Sequence, residues 1–391
     1  MTKPNLPIEK CTACGACASR CPRNAIKLSS DEEGFYIPSI DENLCIECKL
    51  CEKACHVLNV LHEEYKGGVP YMVKAHEKPL LKKSSSGGVF SLLSEVVMNE
   101  GGVVYGARYN YSTEILECLS TNDCNIEELR KSKYVESYMG TTFRSIVEKL
   151  KANRPVLFCG TPCQCRGLHH YLNTCKCSME KLILVRFICH GVPSNLFFQD
   201  YKHYVEKQYK SKARYIDFRP KDFGWRTQNL RIEFENGKIL KEKHTCNIYL
   251  KNFYSSDMLR KSCYECSCLN ENCADLTIAD FWGIHFFRPE NKDQEGVSLV
   301  VCHSDKGQNY LNQIADKCEM EQLPSSAIEY IYKRGGFENK MINRPRLMER
   351  VRQEGYMPVA LSLYEKECKK NKRIQFIKNI IKRFVLKGNA F

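Results

Sequence analysis

Eight cysteines stand within the first 55 residues and spell one run twice. Cys11, Cys14, Cys17 and Cys21, then Cys45, Cys48, Cys51 and Cys55, both read C-x2-C-x2-C-x3-C. Three thiolates two residues apart wrap one corner of an iron–sulfur cubane, while the fourth is carried to the other cluster. The predicted ligand sets therefore cross: Cys11, Cys14, Cys17 and Cys55 hold one cluster, and Cys21, Cys45, Cys48 and Cys51 hold the other. The first run ends with Cys21-Pro22, as is usual. The second ends with Cys55-His56, which keeps the ligand and loosens only the turn after it. Zinc ribbons also use C-x2-C pairs, but they need two pairs far apart. Four cysteines within eleven residues point instead to clusters.

Elements further along must position a second group of thiols. Val73 to His76 reads as a strand, and Ser84-Ser85-Ser86-Gly87-Gly88 opens a helix that Gly101-Gly102 stops. Val103 to Tyr109, Pro155 to Cys159 and Leu182 to Ile188 return as strands, with helices after Pro162 and Ser194. Such alternation predicts an α/β domain with a largely parallel sheet. Leu230 to Glu235 and Lys238 to Lys243 flank Asn236-Gly237, a hairpin signal. With Leu276 to Phe281 and Val297 to Cys302, they predict that the sheet is extended by antiparallel members. The fold class is thus α+β: an N-terminal ferredoxin fused to a largely parallel α/β domain with antiparallel additions. The expected units are 1–61, 71–212, 213–335 and a helical basic tail at 336–391, with His62 to Pro70 as linker.

Ligands of an open parallel sheet sit beyond the carboxyl ends of its strands. Two loops there each carry a cysteine, Cys163 and Cys189. A later loop, Ser262-Cys263-Tyr264-Glu265-Cys266, offers two more at ligand spacing. These four can hold a third cubane. Spacing alone leaves Cys159, Cys165, Cys268 and Cys273 eligible by type, and a zinc site of Cys263, Cys266, Cys268 and Cys273 competes. Ser86, Gly87 and Gly88 open one helix and Gly160 and Thr161 the next, so backbone amides can approach a phosphate there. Ordinary helix capping explains either loop taken singly.

Composition sets further bounds. A chain of 391 residues with 43% hydrophobic content exceeds one ordinary domain. Its 24 cysteines follow no apolar signal segment, so reduced thiols in the cytoplasm are expected. The +13 formal charge omits the negative charge that four-thiolate clusters carry, and part of it is local. From Lys369 to Phe391 there are eight Lys or Arg and no acid, with Ile374, Ile377, Ile380, Ile381, Phe384 and Val385 on one helical face. That face suits peripheral contact with the inner membrane surface, or packing on the protein's own body. The basic and aromatic module of a nucleic-acid binder is not visible.

Residues 1–61 resemble a bacterial two-cluster ferredoxin. The segments Ser85 to Phe90, Leu157 to Gln164, Ile188 to Pro193, Ser262 to Cys266 and Asp280-Phe281-Trp282-Gly283 resemble the family of coenzyme F420 hydrogenase/dehydrogenase beta subunits, and the resemblance runs to about residue 335. It implies that Cys163, Cys189, Cys263 and Cys266 ligate a cluster beside a bound FAD, which leaves Cys159, Cys165, Cys268 and Cys273 as spectators. It also implies cofactor contacts from Ser86, Gly87, Gly88, Tyr134, Ser137, Gly160, Thr161, Pro162, Gln164 and Asp280, with Trp282 lining the cleft or packed in the core.

The resulting expectation is an iron–sulfur flavoprotein oxidoreductase. It moves electrons between a hydride donor or acceptor, a deazaflavin-type coenzyme or other small redox substrate, and a one-electron carrier or partner subunit. His190 and Lys221 are the candidate proton donors. Phe218-Arg219-Pro220-Lys221 and Gly224-Trp225-Arg226 form a basic loop suited to an anionic substrate, or a solvated turn. The alternative is an electron-transfer subunit with no substrate of its own that serves a partner enzyme, for example in surface-polysaccharide biosynthesis. A radical S-adenosylmethionine enzyme is disfavoured, because Cys159, Cys163 and Cys165 run C-x3-C-x-C and not C-x3-C-x2-C.

Overall fold

The computed structural model describes residues 4–59, 67–269, 272–290, 294–329 and 337–370. In the N-terminal unit β1 (Ile26–Ser30) pairs antiparallel with β2 (Tyr36–Ile40), and the short helices Ala16–Arg20 and Leu50–Lys53 carry the later cysteines of each run. Both runs wind through the left-handed region at matching places. Ala13 and Gly15 have φ of 52° and 79° in the first, and Glu47 and Lys49 have 54° and 56° in the second. A residue with a Cβ gives up about 1–2 kcal/mol there. Its recurrence in both copies follows from the need to turn successive thiols toward one centre.

The body is one eight-stranded sheet. Its strands are β3 (Val69–Ala75), β4 (Val103–Asn110), β5 (Ile115–Ser120), β6 (Val156–Gly160), β7 (Leu182–Phe187), β11 (Leu276–Asp280), β12 (Ser298–Cys302) and β13 (Cys318–Gln322). Their order is β13-β3-β12-β11-β7-β6-β4-β5. β4, β6, β7 and β11 run parallel, with Val104 opposite Leu157 and Leu157 opposite Ile183. Period-two alternation sends Val156 and Phe158 to one face and Leu157 to the other. The first face packs on the helices Thr142–Lys151 and Pro162–Thr174 and on ferredoxin residues Ala13, Ala16 and Ala54. The second packs on the helix Val89–Asn99 and on Leu311 and Ile314. Because β3 is bracketed by β12 and β13, chain from 71–212 and from 213–335 interlocks in a single sheet.

Two expectations change here. The Asn236-Gly237 hairpin does form, from β9 (Asn229–Phe234) and β10 (Ile239–Lys243), but it joins β8 (Ala213–Asp217) in a separate three-stranded sheet. Its apolar face covers Phe197, Phe198, Tyr201 and Tyr249, not the end of the main sheet. Nor is the C-terminal region simply a tail. Met348, Val351, Tyr356, Val359 and Ala360 are buried in that same core. Arg344 is paired with Glu33, and the Tyr356 hydroxyl donates to the Glu33 carbonyl at 2.6 Å, clasping the ferredoxin. The predicted basic amphipathic face at Ile374 to Val385 lies outside the described residues. No helix among the described residues is long and apolar enough to cross a membrane.

Candidate functional site

The cysteines of the N-terminal unit fall into two groups that cross between the runs. Burial raises the Cys14 thiol well above its usual range, and Cys17, Cys55 and Cys11 raise it further. Cys17 feels Cys11 and Cys55 in the same way. Cys21, Cys45, Cys48 and Cys51 line one cavity together with Pro4, Arg23, Ile26, Ile46 and Lys49. Backbone amides already aim at the sulfurs: Ala13 N–H donates to Cys11 Sγ at 3.3 Å and Ala25 N–H to Cys21 Sγ at 3.2 Å. Arg144 locks this unit to the body by donating to the carbonyls of Ser19 (3.1 Å) and Cys21 (2.9 Å) at the end of a helix. His56 is buried, takes a 3.0 Å hydrogen bond with Thr12 and is held neutral, its pKa pushed down to about 3 by burial and then by Arg166 and His170.

A second thiol group sits at the carboxyl edge of the parallel strands. Cys163 opens the helix after β6 and Cys189 follows β7. The loop bearing Cys263 and Cys266 is brought over them by the Pro193–Leu259 bridge and the Arg260 N–H···O=C Val192 bond of 2.9 Å. Burial pushes the Cys163 thiol up to about 12, with Cys266 and Cys189 adding to the shift; Cys263 is raised first by burial, then by Cys189, Cys163 and Cys266. Four thiols that disfavour one another's ionisation need a bound cation to become thiolates.

Sulfurs around tetrahedral zinc lie about 3.8 Å apart, from Zn–S bonds of about 2.3 Å. Among the described residues one group of three or more possible ligands has all its ligand atoms within 4.8 Å: Glu114, His203 and Glu206. Lys202 already donates to both of those glutamates. That group contains no cysteine. Cys273 lies close enough to Cys165 to raise its thiol. Cys268, expected to be a spectator, touches the second thiol group instead, against Cys266 and Cys163, with Arg166 Nη1 3.9 Å from its sulfur.

The Ser85–Gly88 loop meets the segment Ser132 to Ser137, which in turn meets the turn bearing Cys163. Ser132 N–H donates to Ser85 Oγ at 2.9 Å, and Gln164 Nε2 donates to Ser137 Oγ at 2.8 Å. Five residue steps, at most about 18 Å of extended chain, separate Ser132 from Ser137. Gly88 caps the helix Val89–Asn99 with no side-chain acceptor, and Gly87, Gly88 and Val89 are all buried. Gly87 has a packing role: a Cβ there would meet the Val73 carbonyl at 2.1 Å. Lys133, next to the predicted contact Tyr134, is a residue that sequence pattern does not mark. Its ammonium donates to the carbonyls of Glu128 (2.8 Å) and Arg130 (2.6 Å), and burial pushes its pKa down to about 7.

Several predicted contacts are committed elsewhere. Thr161 and Gln164 form a capping box on the helix Pro162–Thr174, with Thr161 Oγ1 also 3.1 Å from Cys163 Sγ. The side chains of Thr161 and Gln164 are thus used for capping. The Ser86 hydroxyl donates to the Val297 carbonyl at 2.7 Å. Asp280 holds Arg219 through bonds of 2.7 and 3.2 Å and accepts from Trp225 Nε1 at 3.2 Å. Trp282 is not in the core: it is 38% exposed, stacked on Trp225 at 5.1 Å with Arg219 over its ring. Lys221 directs its three N–H groups to the carbonyls of Leu81 (2.6 Å), Ser86 (3.4 Å) and Glu295. His190 is exposed beside Cys189.

Comparison with known proteins places this geometry among relatives. Residues 153–326 match the family model for the C terminus of the coenzyme F420 hydrogenase/dehydrogenase beta subunit, and residues 10–59 match a 4Fe-4S dicluster domain. The chain is 21% identical over 337 residues to the F subunit of F(420)H(2) dehydrogenase from Methanosarcina mazei, covering 83% of this chain and 88% of that protein. It is 49% identical over 41 residues to Ferredoxin-3 of Chlorobaculum tepidum, covering 10% of this chain and 58% of that one. A chain of the F420-reducing [NiFe] hydrogenase complex from Methanosarcina barkeri matches with 18% identity and a TM-score of 0.45, over 74% of this chain and 95% of that chain.

Proposed function

Because the chain belongs to the family of coenzyme F420 hydrogenase/dehydrogenase beta subunits and carries an iron–sulfur ferredoxin unit, we propose that it is a flavin-dependent iron–sulfur oxidoreductase. It moves electrons between a small two-electron substrate, of deazaflavin or related type, and a one-electron carrier or partner subunit. The observation that carries the reading is the meeting of Cys163, Cys189, Cys263 and Cys266 next to the Cys11 loop of the ferredoxin unit.

When bound, FAD exchanges hydride for single electrons, and iron–sulfur clusters carry those electrons one at a time. The chain's own residues supply the rest. The hydroxyls of Ser85 and Ser132 and the Lys133 amine suit a diphosphate. Tyr134 is stacked on Phe253 at 4.8 Å beside them. His190 is the group left to move a proton at the exposed side. Stations follow in the order of the loops: the second thiol group, then Cys11, Cys14, Cys17 and Cys55, then the outer set lining its own cavity, where Cys48 is exposed.

The test is anaerobic purification followed by iron, sulfide and flavin analysis. Roughly twelve irons, for three cubanes, together with one FAD per chain are expected. Roughly eight irons and no flavin sink the mechanism and leave a subunit that only transfers electrons.

A further inference from the structure

Arg260 and Glu136 form an ion pair in which both side chains are 5% exposed, at the point where three parts of the chain meet. Arg260 Nε donates to Glu136 Oε1 at 2.8 Å, Nη1 donates to the Cys11 carbonyl at 3.0 Å, and Nη2 donates to the Tyr36 carbonyl at 2.7 Å. The Cys263 amide donates back to the Arg260 carbonyl at 3.0 Å. Ser262, next to Cys263, donates its hydroxyl to the same Cys11 carbonyl at 2.9 Å. A ligand of the second thiol group and a ligand of the ferredoxin are thus joined by one hydrogen bond plus the covalent chain, with a guanidinium beside the joint.

The pair does not face the cysteine loops evenly. The Arg260 guanidinium bonds directly to the Cys11 carbonyl, whereas the Glu136 carboxylate is held by Arg260 and by the Tyr36 amide at 3.0 Å. The outer thiols Cys21, Cys45, Cys48 and Cys51 line a cavity that Arg260 does not touch. A nearby fixed cation favours the more negative, reduced form of a cluster, as second-shell groups generally tune metal sites.

We propose that Arg260 is the positioning residue of the electron bridge: it locks the Cys11 loop onto the Cys263 loop and biases the two clusters it joins toward reduction, leaving the outer cluster untouched. One electron leaves one cluster as the other gains it, and no bond or proton is transferred. The inference rests on the three-cluster reading above.

The experiment is an anaerobic redox titration followed by electron paramagnetic resonance on the full chain and on Arg260→Gln, Arg260→Lys and Glu136→Gln. In Arg260→Gln two of the three potentials fall, and the third stays. The expected drop corresponds to about tenfold in the one-electron equilibrium with the outer cluster, about 59 mV. Glu136→Gln moves the same two potentials upward, and Arg260→Lys, which keeps the charge, holds them near the wild-type values. A merely structural role predicts losses of cluster content without opposite signs. If Arg260→Gln does not assemble its clusters, the sign of the Glu136→Gln shift decides. Unchanged potentials in Glu136→Gln, equal movement of all three, or the same sign in both charge variants overturn the proposal. A wild-type chain with only two clusters refutes the relay reading instead, and the Cys11-cluster potential in the same variants still tests Arg260.

Discussion

Gly167 lies on the helix Pro162–Thr174 that carries Cys163, and its Cα faces the Cys14 loop of the ferredoxin unit. A Cβ added there would stand 2.8 Å from both Cβ and Sγ of Cys14 and 3.5 Å from Phe143 Cε2. Ordinary contact begins at 3.4 Å, so Gly167→Ala asks Cys14 to retreat by about 0.6 Å (3.4 less 2.8). Overpacking of this kind costs about 1–3 kcal/mol, while replacing a mid-helix glycine by alanine returns about 1 kcal/mol. Net stability therefore falls by about 0–2 kcal/mol, and the ligand's position moves with it. The assay is iron content after anaerobic reconstitution: Gly167→Ala should lose the four irons of one cubane, about twelve falling to about eight per chain. Gly106→Ala is the control, since its nearest neighbour, Leu129 Cβ, is at an ordinary 3.4 Å. A Gly167→Ala chain with full iron and an unaltered cluster spectrum would refute the close-packing argument.

Further outcomes follow from the same geometry. Alanine at Cys163, Cys189, Cys263 or Cys266 should each remove about four irons per chain, whereas Cys159→Ala, Cys165→Ala and Cys273→Ala keep them. Loss of iron in Cys268→Ala together with its retention in Cys189→Ala would exchange those two as ligands. With its pKa pushed down to about 7 by burial, Lys133 should be acylated at pH 8 well ahead of surface lysines, and added FAD should suppress that labelling. By linkage, its contribution to stability rises from pH 7 toward the ordinary lysine range, because there the unfolded chain holds the proton that the folded chain has released. Asp280→Ala should cost about 3 kcal/mol in denaturant unfolding by stranding buried Arg219. Arg219→Met with Asp280→Leu should recover most of that loss, and an Asp280→Ala chain of wild-type stability would return Asp280 to the list of ligand contacts.

Much of this molecule is legible as pattern. The parallel strands β6 and β7 appear within a residue or two of their predicted places, because a buried strand must be a short apolar run between turn residues. The helix after Ser194 begins there because Ser194 accepts from the Phe197 amide at 3.2 Å, a local bond that local sequence encodes. What pattern misassigns is partnership. The hairpin at Asn236-Gly237 is recognisable, but the choice between the main sheet and a separate one depends on which apolar face lies nearest, here Phe197, Phe198 and Tyr249. The basic residues Lys133, Arg144 and Arg260 carry no signal by type, since a surface lysine or arginine looks the same in sequence as one whose donors close a loop.

The eight N-terminal cysteines and their crossed grouping follow from sequence alone, because three thiols on one short loop cannot avoid facing one centre and the fourth cannot reach it. The second thiol group has no such covalent necessity. Cys163, Cys189, Cys263 and Cys266 come from three loops spread over residues 163–266, and only the register of β6, β7 and β11 and the bridge at Pro193 bring them together. The joint between that group and the ferredoxin is likewise a tertiary fact. Gly167 against Cys14, with Arg260 and Ser262 on the Cys11 carbonyl, depends on packing between surfaces distant in the chain, and spacing along a chain carries no information about such contacts.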